Sequence, residues 1–488
     1  MPRFARRAGS LAGVALFAAS ATGPACADTL REALVVAYQT NPSLQSARAQ
    51  QRGVDENVPI ARASGLPSIN GNASYTEFVK RSANSFTSPE RSISAGVDLG
   101  VPIYSGGAVK NRVKAAKFRV EAGQASLRGT ESQIFASVVA AYMDVIRNEA
   151  IVGLNRKNVD VLKVNLQATS DRFEIGDVTR TDVAQSQSRL AIAQSDARAA
   201  EANLAAARET YIQLIGKTPE SLQAPPPLPH LPATPEEAVQ TALDSNPDLL
   251  AAREQTKAAE KDIDVAGSGR LPRVSLFTSG AYNNYLDTLG GLSSASFFQI
   301  DKTAQAGARI SIPIFQGGLP AAQRRQAQAQ ASAALENEIA AERSVIAQVR
   351  SAYSSWIAAN DVIRSSKVAV DAAALSLEGV RAENSVGNRT ILDILNAEQE
   401  SLNAQVRLVT ARRDAYVAGF NLLAAMGKAE ARDLNLDSDI LYDPNVNYKR
   451  VRGKIFDWDD DPAPTAKSTR TVDTPVQDGE IRETKTAP

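Results

Sequence analysis

From Ser92 to Ile103 the chain alternates. Ile93, Ala95, Val97, Leu99 and Val101 are apolar, and Ser94, Gly96, Asp98 and Gly100 between them are small or polar. A second run repeats this face for face: Ala304, Ala306, Ala308, Ile310 and Ile312 line one side, Gln305, Gly307, Arg309 and Ser311 the other. Successive strand residues point to opposite faces, so this period predicts strands with two unlike surfaces. Partner runs near Ile69 to Val79 and Val274 to Tyr285 alternate less cleanly. Together they predict one β-hairpin over 68–103 and another over 274–314, with tips around Ser82 to Pro89 and Leu289 to Phe297. Each run can cross a bilayer as a tilted strand of about 9 to 11 residues.

After each alternating run the period becomes helical. The change falls at Leu99-Gly-Val-Pro-Ile-Tyr-Ser-Gly-Gly107, which recurs 211 residues later as Ile310-Ser-Ile-Pro-Ile-Phe-Gln-Gly-Gly318. Pro102 and Pro313 cannot donate a ladder hydrogen bond, and Gly106, Gly107, Gly317 and Gly318 permit a sharp change of direction. Gly106 to Gly176 contains no proline, and as one helix it would span roughly 105 Å at 1.5 Å per residue. The helix that returns shows a three-four seam: Val183, Ser186, Leu190, Ala193, Ala197, Ala200, Leu204, Ala207, Tyr211 and Leu214. Its counterpart is Ile394, Ala397, Ser401, Ala404, Leu408, Ala411, Ala415, Ala418, Leu422 and Ala425. This is coiled-coil spacing, and the many Ala and Ser residues imply closely approaching axes.

The chain therefore reads as an internal two-fold repeat. Asn41-Pro42 and Leu66-Pro67 in the first half return as Asn246-Pro247 and Leu271-Pro272 in the second. The expected division is a first repeat over 28–216, a proline-rich connector over 217–235, a second repeat over 236–428 and an appendage over 429–458. A tail over 459–488, rich in Asp, Thr and Pro, reads as disordered.

Composition adds an export signal and removes most chemistry. Arg3, Arg6 and Arg7 precede an apolar run from Leu11 to Ala21 and an Ala25-Cys26-Ala27 cleavage site, so residues 1–27 read as a signal peptide. A lipid-modified Cys26 is the alternative reading, although Gly23-Pro24-Ala25 lacks the expected leucine. Cleavage removes the sole cysteine, and with it any disulfide or thiolate zinc site. It also takes three of 54 basic residues, leaving 51 against 54 acidic ones, a net charge of −3. No basic arm or patch points to nucleic acid. After the signal no stretch is apolar and long enough for a transmembrane helix, so any membrane crossing must use strands. The single histidine, His230, lies in the connector, so Ser-His-Asp, Cys-His and histidine-zinc sites lack partners and no enzyme or cofactor is expected.

Two further stretches look like helix-turn-helix tips: Arg172-Phe-Glu-Ile-Gly-Asp-Val-Thr-Arg-Thr-Asp182 and Ser385-Val-Gly-Asn-Arg-Thr-Ile-Leu-Asp393. With the repeat, the hairpin pair and the Pro-Ile-aromatic-x-Gly-Gly handover, they make the mature chain to about Lys428 resemble the TolC-like outer-membrane efflux proteins. The resemblance implies an α+β membrane protein and a homotrimer. Each chain would give four strands to one 12-stranded β-barrel, continued by a long α-helical coiled-coil tunnel. It further implies a passive outer-membrane exit duct of a tripartite efflux or type I secretion system. The implied partners are a periplasmic adaptor (membrane fusion) protein, an inner-membrane pump and outer-membrane lipid.

In that family the tips form the periplasmic entrance, held closed by hydrogen bonds and salt bridges and narrowed by rings of aspartate. Position by position, Thr181, Asp182 and Arg389 match the network and Asp393 matches the first ring. Asn396 stands where the family pattern has a second Asp, and Asn384 where it has a bracing Tyr, so the implied ring charge is halved. Ile175, Gly176 and Asp177, with Val386, Gly387 and Asn388, match the tips that seat against the adaptor's coiled-coil hairpin. Read from the residues alone, Thr179 with Asp182 and Thr390 with Asp393 fit capping arrangements, and the glycines fit simple turns. Strand number alone leaves two, three or four chains open, for about 8, 12 or 16 strands. The residues also leave open a periplasmic coiled-coil scaffold whose strands never enter a membrane.

Overall fold

The computed structural model describes residues 29–80, 88–436 and 441–481. The signal peptide with Cys26, hairpin-tip residues 82–87 and the last seven residues of the tail lie outside the described residues. The chain starts with α1 (Leu30–Thr40), α2 (Pro42–Asp55) and α3 (Asn57–Ala63). Thr29 and Glu32 close a capping box on α1. Pro42 sits at the first turn of α2, where its missing N–H costs nothing.

Four strands follow the alternation. β1 (Ser68–Glu77), β2 (Arg91–Ser105), β3 (Arg273–Asn284) and β4 (Ile300–Ser311) form one antiparallel sheet in that order. The register puts Val97 opposite Gly71 and Gly280, and Ile310 opposite Val274, so the alternating apolar positions of β2 and β4 share one face with Ile69, Val274 and Leu276. No described part of the chain covers it: Val97 is 55% exposed and Ile310 64%. Asp98, Gln305 and Arg309 lie on the other face, where the Arg309 guanidinium stacks 5.2 Å from the Phe277 ring centre. Among the described residues β1 and β4 are open edges.

Each hairpin leads into a long helix and a shorter return. These are α4 (Ala108–Glu174) with α5 (Arg180–Ile215), and α8 (Leu319–Ser385) with α9 (Ile391–Ala425). Both α4 and α8 contain 67 residues, a length of roughly 100 Å. Between the halves lie α6 (Pro235–Ser245) and α7 (Pro247–Gly267). Every predicted seam position is buried or half-buried, with Ala193, Ala197, Ala200 and Leu204 inside α5 and Ala404, Ala411 and Ala415 inside α9. The main core gathers Tyr38, Phe135, Tyr142, Tyr211 and Phe420 where α1, α4, α5 and α9 meet. In contrast, α8 buries only Pro320, Ala327, Ala331, Val345 and Val349 along its whole length.

The two Asn-Pro pairs do the same job. The Asn41 side-chain oxygen accepts the N–H groups of Ser43 and Leu44, while its amide donates to the Leu214 carbonyl at 2.9 Å. Asn246 accepts from Asp248 and Leu249 and donates to the Ala425 carbonyl at 2.8 Å. Each buried asparagine thus caps one helix and satisfies an orphan carbonyl at the end of another.

The C-terminal part wraps the outside. The Ala431 N–H donates to Glu131 at 2.7 Å, Glu430 pairs with Arg128, and α10 (Pro444–Val451) packs on α2 with Asn447 donating to Asp55 at 2.7 Å. The described part of the tail departs from the disorder its composition predicts. Asp478 accepts from the fully buried Arg208 through its carbonyl, the Gln477 N–H donates to Glu209, and Gly479 lies so close to Glu201 that a Cβ would overlap it. The reason is electrostatic: Arg208 is buried with Glu149 at 2.8 Å, and the tail supplies further acceptors.

Two measurements test this packing. Ala200→Leu and Ala411→Leu should each lower stability by about 1 to 3 kcal/mol through overpacking, read in thermal unfolding. Ala199→Leu, on an exposed face, should be tolerated. Burial pushes the Glu131 carboxyl up to about 7; the Glu430 carboxylate adds to this, and the Ala431 N–H opposes it. The folded state therefore holds that proton more tightly than the unfolded chain. Its stabilisation is present at low pH and lost as pH rises from about 4.5 to about 7. Melting temperature should fall across that window, and Glu131→Gln should flatten the fall.

Candidate functional site

The handover from sheet to helix and the far tips of the helical hairpins both turn on glycines in the left-handed region. At the handover Gly106 and Gly107 have φ of 64° and 80°, and Gly317 and Gly318 have 58° and 82°. All four lie in the left-handed region, which side chains with a Cβ rarely enter. Gly107 and Gly318 directly precede α4 and α8. Gly106 is also sterically pinned, since a Cβ there would meet the Leu271 Cβ at 2.8 Å and the Ser268 carbonyl at 2.9 Å. Around Gly317 and Gly318 there is open space. The two prolines differ in place. Pro102 sits inside β2, where the register against β3 shifts before Tyr104, a local bulge that accommodates the missing N–H. Pro313 lies beyond the end of β4.

At the first tip, Gly176 turns at φ 82°, with its N–H on the Phe173 carbonyl and the Asp177 N–H on the Arg172 carbonyl. Arg172 then clasps Asp177 at 2.6 Å. Thr179 caps α5, and its N–H and hydroxyl both donate to the Asp182 carboxylate, at 2.9 and 2.7 Å. The second tip repeats this with Gly387 at φ 83° and Thr390 donating twice to Asp393, at 3.0 and 2.7 Å. These hydroxyl and N–H bonds from the capping threonines hold both carboxyls below their usual range, with Arg389 helping at Asp393. Ile175 and Val386 stand exposed at the apexes beside the glycines, and Asp177 and Asn388 follow them.

The two tips are not latched to each other through Arg389 and Asp182. Arg389 pairs instead with Glu383 of its own hairpin at 2.7 Å, and Asn384 donates to the Arg389 carbonyl at 2.7 Å. Asp182 makes its capping bonds within the first hairpin, and Arg389 makes its ion pair within the second. Thr181 lies exposed in the first turn of α5. Near the tips the hairpins are joined by Arg189, which donates to Asn396 at 2.8 Å, and by Leu395 packed against Val159, Leu162 and Ala193. Within the second hairpin, Arg381 of α8 pairs with Glu398 of α9. Arg189 was detectable in principle, since it follows Asp182 by two helical turns on the same face.

A model of the family described as outer membrane efflux protein matches residues 33–217 and again 238–428. The chain belongs to that family. The outer membrane efflux protein BepC of Brucella suis biovar 1 is 35% identical over 447 residues, covering 91% of this chain and 95% of BepC. The outer membrane protein TolC of Escherichia coli K12 is 27% identical over 468 residues, covering 91% and 93%. Among solved structures, the Campylobacter jejuni CmeC outer membrane channel superposes with a TM-score of 0.72 at 18% identity, covering 87% of this chain and 89% of CmeC. The protein's place is accordingly the outer membrane, with its helical part in the periplasm.

Within this outer membrane efflux protein the glycines of the handover should not be equivalent. Gly106→Ala adds a clash to a strained φ and should sharply reduce the yield of assembled protein in outer-membrane fractions. Gly318→Ala carries the strain alone and should reduce it less.

Proposed function

We propose that this protein is the passive exit duct of a tripartite efflux or type I secretion system, working as a homotrimer. The observation that carries this is a four-stranded sheet with an uncovered apolar face and two open edges, joined through left-handed glycines to helices roughly 100 Å long. Edge strands cannot face hydrocarbon, because lipid tails offer no hydrogen-bond partner. Three copies of the sheet would close into a 12-stranded barrel with the apolar face toward lipid and the Asp98, Gln305 and Arg309 face toward water. The exposed length of α8 supports the same assembly, since a neighbouring chain's helices would cover it. The matching hairpins and helix pairs support an internal two-fold repeat.

The helices would continue the pore across the periplasm to the tips. There the exposed Ile175 and Val386, flanked by Gly176, Asp177, Gly387 and Asn388, offer apolar knobs with polar neighbours to a periplasmic adaptor, which couples the duct to an inner-membrane pump. Asp182, Asp393, Thr181, Arg389 and Asn396 surround the entrance. The capping bonds that hold Asp393 also keep it ionised, so three symmetry-related copies would set a ring of negative charge on the axis.

Planar-bilayer recording tests the reading. The purified trimer should give discrete conductance steps, cation-preferring and blocked by trivalent cations. Asp393→Asn should sharply weaken both cation preference and block, and Arg389→Ser should raise conductance by freeing the second tip while trimer melting stays unchanged. Absence of steps from the wild type would sink the duct. Unaltered conductance and block in both variants would remove Asp393 and Arg389 from the gate.

A further inference from the structure

The turn that follows α10 carries an inverted surface. Lys454 pairs with Asp459 at 3.0 Å and Arg450 with Asp461 at 2.6 Å, so the charged side chains tie the turn back on itself. Its apolar side chains point away: Ile455 is 69% exposed, Phe456 71% and Trp458 83%. A soluble loop would do the reverse, and three large apolar side chains in four residues need an apolar neighbour.

The position of the turn identifies that neighbour. Asn447, early in α10, donates to Asp55 at the end of α2, and the Arg452 carbonyl, just past α10, accepts from Arg62 at the end of α3. Helix α10 therefore runs alongside α2 and α3 in the same direction, which is toward β1. Ser64 beyond α3 accepts from Arg112 in the first turns of α4, and Gly65 abuts Val109, so this level lies directly beneath the sheet. Ile103, Tyr104, Ile314 and Phe315 at the ends of the strands are exposed there as well. The turn extends that apolar rim outward. An adaptor seated at the hairpin tips would be roughly 100 Å away, a whole length of α4.

We propose that residues 454–458 form an interfacial anchor, with Ile455, Phe456 and Trp458 inserted at the headgroup boundary of the phospholipid leaflet facing the periplasm. Trp and Phe favour that boundary because an amphipathic or apolar ring can sit between water and acyl chains. Lys449 to Asp461 contain four basic and four acidic side chains, so attraction to anionic lipid is not the driving term. The anchor gives the outer wrap of the C-terminal segment a fixed point on the membrane, a role no strand of the barrel supplies. It rests on the barrel reading, and the test separates the two.

The chain has two tryptophans, Trp356 and Trp458, so Trp356→Phe leaves Trp458 as the sole reporter. The trimer is reconstituted into phosphatidylethanolamine and phosphatidylglycerol vesicles whose acyl chains carry bromine, either near the headgroup or near the chain end. A parallel reporter, Val97→Trp with both native tryptophans replaced by Phe, monitors the barrel. Trp458 emission should be quenched by bromolipid, more by the shallow bromine than the deep one, and unchanged by added salt. Quenching of Trp458 by aqueous acrylamide alone would place the turn in water and overturn the anchor. Protection from both quenchers would place it at a subunit contact and overturn it equally. In either case quenching at Val97→Trp leaves the barrel standing, whereas an unquenched Val97→Trp removes the barrel and the anchor together.

Discussion

Lipid hydrocarbon accepts no hydrogen bonds, and that single constraint organises the molecule. The sheet has an apolar face with no cover and two edges with no partners among the described residues, β1 and β4. Such a sheet is unstable in water because of its face and unstable in lipid because of its edges. Closure with further copies answers both demands at once. The helical half fits the same logic, since α4 is buried by α5, α7 and the N-terminal helices while α8 keeps a long exposed side. The open edge of β4 and the exposed side of α8 follow one another in the chain, as successive parts of one interface would.

Between these halves the chain must exchange a period of two for one of 3.6 without losing backbone hydrogen bonds. Paired left-handed glycines achieve this in both copies, and their consequences differ. Gly106 is wedged against Leu271 and Ser268, so the first handover is locked to the second half of the sequence. The second has free space around Gly317 and Gly318. The buried asparagines Asn41 and Asn246 perform a related exchange at the other junction, each ending a return helix and beginning a new one.

Local periodicity was legible in the sequence because it reflects contacts made by neighbours along one element. The alternating faces of β2 and β4, the Ala-rich seams of α5 and α9 and the capping residues Thr179 and Thr390 all follow from spacing alone. What spacing could not supply were contacts set by tertiary proximity. Arg389 turns to Glu383, six residues back across its own tip, and Asp182 makes its capping bonds with Thr179 in the other hairpin. The tail reads as disordered from its composition, yet a fully buried Arg208 on α5 recruits its carbonyl and carboxylate. The first hairpin reads as ending at Ile103, but a bulge past Pro102 carries β2 on to Ser105.

In the proposed gate, one set of bonds at the tips would serve stability and permeation together. A carboxylate that accepts the N–H and hydroxyl of its capping threonine is fixed in position and biased toward its charged form. A flexible surface aspartate would spread its charge over many rotamers and be screened by ions around it. Capping therefore does not compete with the proposed ring; it is what would make three exposed charges act from defined places. Asp182 and Asp393 make their capping bonds within their own hairpins, and near the tips the contact between the halves passes to Arg189 and Asn396, two turns and one turn further along their helices. An asparagine at that second position accepts from Arg189 without adding negative charge. In the proposed gate, an asparagine here in place of a second aspartate would exchange ring charge for a neutral acceptor that ties α5 to α9.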